Sequence, residues 1–133
     1  MRRIFSSERL FAVFLWLVAI HSFFTGVGLI LLSSNSMGFF GFSVSEDRFF
    51  RTQGGVFHLI VAFYYLLALW GYRRYKPLIW IPAIAKGFGS GFLFIYYFFK
   101  WSGWMILVSG IGDSLMFVVM LLFIYYTGKE SKR

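Results

Sequence analysis

Two long apolar runs, residues 78–99 and 104–126, are joined by a short Lys100-Trp101-Ser102-Gly103 turn. Each carries a single charge near its middle, Lys86 in the first and Asp113 in the second. Runs of this length and composition fit a bilayer-spanning helix, which needs about 20 predominantly apolar residues. A charge at mid-membrane depth is expensive, and in natural chains it faces the protein interior and pairs with another polar group. The segment 77–126 therefore predicts a helical hairpin in lipid with its two charges turned toward each other.

The rest of the 133 residues extends this reading. The chain is 59% hydrophobic and 14% charged, with Phe 19, Tyr 8 and Trp 5. A soluble domain carries about 25% charged residues, and one this small cannot bury so much apolar side chain. Two further apolar segments, 10–32 and 54–72, complete a set of four spans. The expected fold is all-α, a single-domain integral membrane four-helix bundle. The first run follows a basic start like that of a signal peptide. It is too long for one, and Leu-Leu-Ser-Ser-Asn is a poor cleavage site, so it is read as a retained helix.

Charge placement predicts orientation. Of the 13 Lys and Arg, Arg2, Arg3, Arg9, Arg73, Arg74, Lys76, Lys129, Lys132 and Arg133 fall on one side of the four-span layout. Arg48, Arg51 and Lys100 fall on the other. Basic residues concentrate on cytoplasmic loops, so both termini are expected in the cytoplasm, the membrane being a bacterial inner membrane. The same distribution argues against nucleic acid as a partner, since the charges sit in short runs between apolar segments rather than on one face. Trp80, Trp101, Trp104, Tyr125 and Tyr126 lie near span ends, as interface aromatics do.

Insertion of the third segment is only moderately favourable. Its Leu, Ile and Phe residues contribute about −3 to −7 kcal/mol against about +2.5 to +3.5 for a central lysine. Pairing with the fourth segment helps. Counted from the turn, Lys86 and Asp113 differ in depth by about 6 Å, within reach of a lysine side chain. Gly89 and Ser90 beside Lys86, and Ser109 and Gly110 beside Asp113, let the helices approach closely. Two other readings stand beside a working site: an ion pair that only fixes register, and a lysine that snorkels to the nearer edge.

Two histidines are the remaining intramembrane titratable groups. His21 lies near the middle of the first span and can join the polar core of Lys86 and Asp113. His58 lies in the first turns of a helix starting at Gly54, so it belongs with Arg48, Arg51 and Gln53 as candidates for the outer mouth. Their depths then differ by about 10 Å, poor geometry for two axial haem ligands. Each is read first as an interhelical hydrogen-bonding histidine. Residues 87–91, Gly-Phe-Gly-Ser-Gly, sit inside an apolar helix with no strand before them, which disqualifies a phosphate loop and favours close helix packing. Absence of cysteine rules out disulfides, iron–sulfur clusters and thiol catalysis. No nucleophile–base set, carboxylate pair or metal-ligand cluster appears, so no catalytic residue and no metal site is assigned.

The connection 33–53 holds Phe39, Phe40, Phe42, Phe49 and Phe50 among polar residues. It is too apolar for a free linker and is expected in the interface or over the bundle mouth. The four short spans, this outer connection and the Arg51-Thr-Gln-Gly-Gly55 entry resemble small bacterial four-helix membrane proteins of the DoxX-like and BphX-like kind. Some relatives of that kind accompany redox or aromatic-degradation enzymes. The resemblance transfers no catalytic residue, and the missing cysteines set this chain apart from any thiol–disulfide members. The function expected is a non-enzymatic accessory or small-molecule-binding subunit, with lipid and a partner subunit or a second copy as its contacts and no cofactor. The alternatives are a transporter or proton-relay component, or a redox subunit holding quinone or haem.

Overall fold

In the computed structural model, residues 2–42, 48–72, 74–100 and 103–130 are described, and over them the chain is all-helical. The helices are α1 (Arg2–Leu31), α2 (Ser34–Phe39), α3 (Phe49–Gly71), α4 (Pro77–Lys100) and α5 (Trp104–Glu130). Four of them contain a stretch long and apolar enough to cross a membrane: Glu8–Leu31, Phe49–Gly71, Pro77–Lys100 and Trp104–Tyr126. Only 22% to 33% of each stretch is buried within the protein. The remainder is covered with exposed Phe, Leu, Ile, Val and Trp, a surface stable only in contact with lipid.

Several boundaries differ from those read in sequence. Helix α1 begins at Arg2 rather than at residue 10, because nothing in 2–9 breaks a helix. Helix α3 begins at Phe49, five residues before the expected start at Gly54. The Gly54-Gly55 pair had suggested a boundary, yet both glycines lie within the helix, where Gly55 serves packing. Helix α5 runs on to Glu130 rather than ending at Tyr126. Trp101, Glu46, Asp47, Arg73 and the end of the tail from Ser131 lie outside the described residues.

The connection after α1 is ordered by local chemistry. Ser33, in extended conformation, caps α2: its hydroxyl accepts from the Ser36 amide at 3.2 Å. Arg51 of α3 donates to the Leu32 carbonyl at 2.9 Å, just beyond α1, satisfying one of the acceptors that every helix end leaves open. Met37 of α2 is buried, while Phe39 is exposed. The segment thus packs over the bundle end. Gly41, at φ +79°, lies backbone to backbone against Gly103 in the α4–α5 turn. This clasp joins the two hairpins at the end of the bundle opposite the termini, here the α2 end.

Helices α1 and α3 pack closely, as do α4 and α5, while α3 and α4 touch over a shorter length. The α1–α3 seam is closest at Gly26 and Gly55. A Cβ on either would come within 2.7 Å of the other's carbonyl oxygen, so the two backbones meet directly. Toward the end that carries the termini the core fills with Phe11, Leu15, Val18, Ala19, Tyr65, Ala68, Ile79, Ala83 and Met120. Phe11 sits edge-on to Tyr72 at 5.2 Å between ring centroids and 4.6 Å from Phe123. These rings tie α1 to α3 and α5 there. Gly71 against Leu78 closes the α3–α4 corner.

Candidate functional site

Lys86 and Asp113 form a hydrogen-bonded ion pair between α4 and α5. Both residues are buried, at 4% and 8% relative exposure. Neither helix alone could carry its charge at this depth. Lys86 lies nine residues after Pro77 and Asp113 nine after Trp104, and the helices run antiparallel. The lysine arm bridges what difference in depth remains. Small residues make room around the pair. A Cβ on Gly89 would sit 3.5 Å from Asp113 Oδ2, and one on Gly87 would sit 3.1 Å from the Phe117 ring. Gly110 packs on Leu93 and Phe94. Ser90, also buried, donates to the Gly87 carbonyl at 3.0 Å, a local bond that leaves the ion pair to itself.

The pair opens onto a groove of about 280 Å³. Its walls are Phe57 and Val61 of α3 and Ala85, Gly89, Phe92 and Leu93 of α4; its polar end is Lys86, Asp113 and His58. Phe57 and Phe92 at the rim are exposed, so the opening is lateral, toward the hydrocarbon of the membrane. Gly71 meets Leu78 beside the α3–α4 turn, and the groove lies farther along the two helices.

The structure moves His58 inward relative to the sequence reading. His58 is not at the mouth. With α3 starting at Phe49, it is nine residues into the helix, about 13 Å deep at 1.5 Å per residue. There it lines the groove, within electrostatic reach of Lys86 and Asp113. His21, expected in the polar core, is ten residues before the end of α1, about 15 Å deep; the residue is exposed, yet it lies within electrostatic reach of Lys86 and Asp113, as His58 does. The adjacent Ser22 takes the inward position instead, fully buried. The depth difference that argues against joint ligation by the histidines is thus much smaller than about 10 Å, and the two lie within electrostatic reach of each other. Among the described residues no group of three or more His, Asp or Glu is placed to hold a metal ion.

The mouth candidates separate. Arg51 is engaged as the cap on Leu32, whereas Arg48 and Gln53 are exposed. Of the glycines at 87–91, Gly87 packs on Phe117 and Gly89 lines the groove, while Gly91 has nothing within 4 Å. Ser109, expected on the Asp113 face, points outward.

Two further residues extend the polar interior, Ser22 near the level of His58 and Tyr65 two turns beyond it. Tyr65 follows His58 by seven residues, on the same face of α3, and lies within electrostatic reach of Asp113. Its hydroxyl is buried without a hydrogen-bond partner among the described residues, as is that of Ser22. The Gly26–Gly55 contact sets the antiparallel register that brings Ser22 level with residue 59, one position from His58. The signal was present in the spacing of Gly55, His58, Ala62 and Tyr65, which share one helical face. It is readable even with the helix counted from Gly54, which already contains all four residues.

No family model, curated protein or solved structure matches this chain.

Proposed function

We propose that this chain is a small-molecule-binding membrane protein, non-enzymatic in itself, whose site is the groove between α3 and α4. The observation that carries this reading is the combination at one place of an apolar cleft, a lateral opening to lipid and a convergent polar end. Small-molecule sites are built this way: apolar walls with a few placed polar groups that fix orientation. Lys86, Asp113 and His58 supply those groups. The flanking Phe57 and Phe92 supply the apolar rim. A protein of this design serves as a carrier or accessory subunit that presents a lipid-dissolved compound to a partner.

Both termini lie in the cytoplasm in this proposal, with the membrane a bacterial inner membrane. The support is the excess of Lys and Arg at the end of the bundle that carries the termini. Reporter fusions after Arg133 and within the 33–48 connection test it. Activity of a C-terminal fusion only outside the cell would reject it.

Binding is tested by a thermal-shift screen of lipophilic small molecules on protein in lipid nanodiscs, repeated on Gly89→Leu. The variant fills the groove from its α4 wall. A compound that stabilises the parent protein and not the variant is the expected outcome. Compounds that act equally on both would speak against the site.

A proton-relay reading draws on His58 beside the ion pair and Tyr65 two turns deeper. It finds less support, because beyond Tyr65 the core toward the termini consists of Phe11, Leu15, Ala68, Ile79 and Met120. A relay needs polar groups or water along its length.

A further inference from the structure

The groove has a charge balance that restricts what can enter it. Its polar end holds one ammonium and one carboxylate, already bonded to each other, and one imidazole. Both charged residues are buried. A ligand carboxylate would pair with Lys86 only by placing two anions beside one cation. A ligand amine would do the reverse at Asp113. In a site of low effective dielectric an uncompensated charge is strongly disfavoured. A neutral polar group meets no such penalty. The ammonium has three donors and spends one on Asp113 Oδ1. The other carboxylate oxygen, Oδ2, faces the space above Gly89. The polar end therefore offers both donors and an acceptor to a head group without disturbing the pair.

Size and access narrow the class further. A volume of about 280 Å³ falls just below the usual ~300–1,000 Å³ of ligand pockets. It encloses a head group and the first part of an apolar body. The remainder must pass between Phe57 and Phe92 into the hydrocarbon, which is also the route of entry.

We infer that the α3–α4 groove selects uncharged amphiphiles, with a hydroxyl or carbonyl head seated between Lys86, Asp113 and His58, and discriminates against carboxylates and amines of the same length. This inference rests on the binding reading above and adds its charge selectivity. Discrimination is set by the ion pair itself, so it is switchable: removing the anion converts the site to an anion binder, and removing the cation does the opposite.

The test uses decan-1-ol, decanoate and decylamine with the full chain in nanodiscs at about pH 8, where a carboxylic acid and an alkylamine are both ionised. Saturable thermal stabilisation gives an apparent affinity for each probe. Decan-1-ol is expected to bind at least tenfold more tightly than either charged probe. Gly91→Leu, on the open face, should leave this response intact, and Gly89→Leu should abolish it. Val61→Trp narrows the groove from the α3 wall and serves if Gly89→Leu does not fold. In Asp113→Asn, decanoate should overtake decan-1-ol; in Lys86→Gln, decylamine should. Groove-dependent binding of decanoate or decylamine equal to that of decan-1-ol overturns the selectivity and leaves the binding reading standing. A response to all three probes that is the same in Gly89→Leu and Val61→Trp as in the parent is a bilayer effect. That result, like no response at all, overturns both.

Discussion

The α1–α3 and α3–α4 seams share a helix and differ in almost everything else. At the first, Gly26 and Gly55 bring two backbones together with no side chain between them. At the second, Gly71 meets Leu78 beside the turn, and farther along lies a groove with a buried ion pair and a histidine at its polar end. In lipid, apolar side chains gain little by leaving one apolar surface for another, so closeness of packing decides which helices adhere. The comparison separates two uses of glycine in one protein. At Gly55 the missing side chain closes a seam, whereas at Gly89 it keeps a space open beside a carboxylate.

The largest expected effect comes from breaking the closed seam. Gly26→Leu or Gly55→Leu drives a side chain into the opposing backbone, and overpacking without room to relax exceeds the usual ~1–3 kcal/mol. Neither variant is expected to give monodisperse folded protein on size exclusion, while Gly89→Ala should. Equal behaviour of all three would erase the distinction between the seams.

Next comes the open seam's ion pair. Lys86→Met and Asp113→Leu each strand a buried charge and should destabilise by about 3–5 kcal/mol. Thermal aggregation in detergent reads the loss. The double variant should lose much less than the sum, since no orphan charge remains. Strict additivity would mean that the two charges do not act as a unit.

Arg51→Met removes the bond to the Leu32 carbonyl at the α2 end of the closed seam. A loss of about 1–2 kcal/mol is expected. Amide hydrogen exchange should quicken in the last turn of α1 and not in α4. A smaller effect of opposite sign is expected for Tyr65→Phe, which removes a buried hydroxyl lacking a partner among the described residues. It should stabilise by about 1 kcal/mol, and a rise in melting temperature checks it. Smallest is Gly91→Ala, on a face with nothing within 4 Å. A gain of about 0.5 kcal/mol from helix propensity is the expected result.

Much of the layout is legible in the chain because lipid imposes a simple rule: a span must be long, apolar and helical. The charges at Lys86 and Asp113 stand out against that background, and helix rise alone brings them to similar depth. What sequence hides is rotation and the start of each helix. Taking Gly54-Gly55 as a beginning moved His58 toward the surface by five residues. Nothing in local pattern turns His21 outward and Ser22 inward; the Gly26–Gly55 contact on the neighbouring helix does that. Exposed and buried faces are nearly equally apolar in lipid, so the alternation that marks an inner face in a water-soluble helix is faint. Arg51 illustrates the same limit. Its charge marks it as a candidate for the outer mouth, but its partner is a backbone carbonyl, which no side-chain pattern advertises.

The chain order of the seams bears on how the molecule is made. The closest contacts join consecutive long helices, α1 with α3 across the short α2 and α4 with α5, each pair linked at the α2 end. Lys86 and Asp113 belong to the same later hairpin. As that hairpin leaves the ribosome and enters the bilayer, its two charges can neutralise each other without waiting for the earlier half. Joining of the two hairpins relies on a different contact, Gly41 against Gly103. The groove lies along the line where the two hairpins meet.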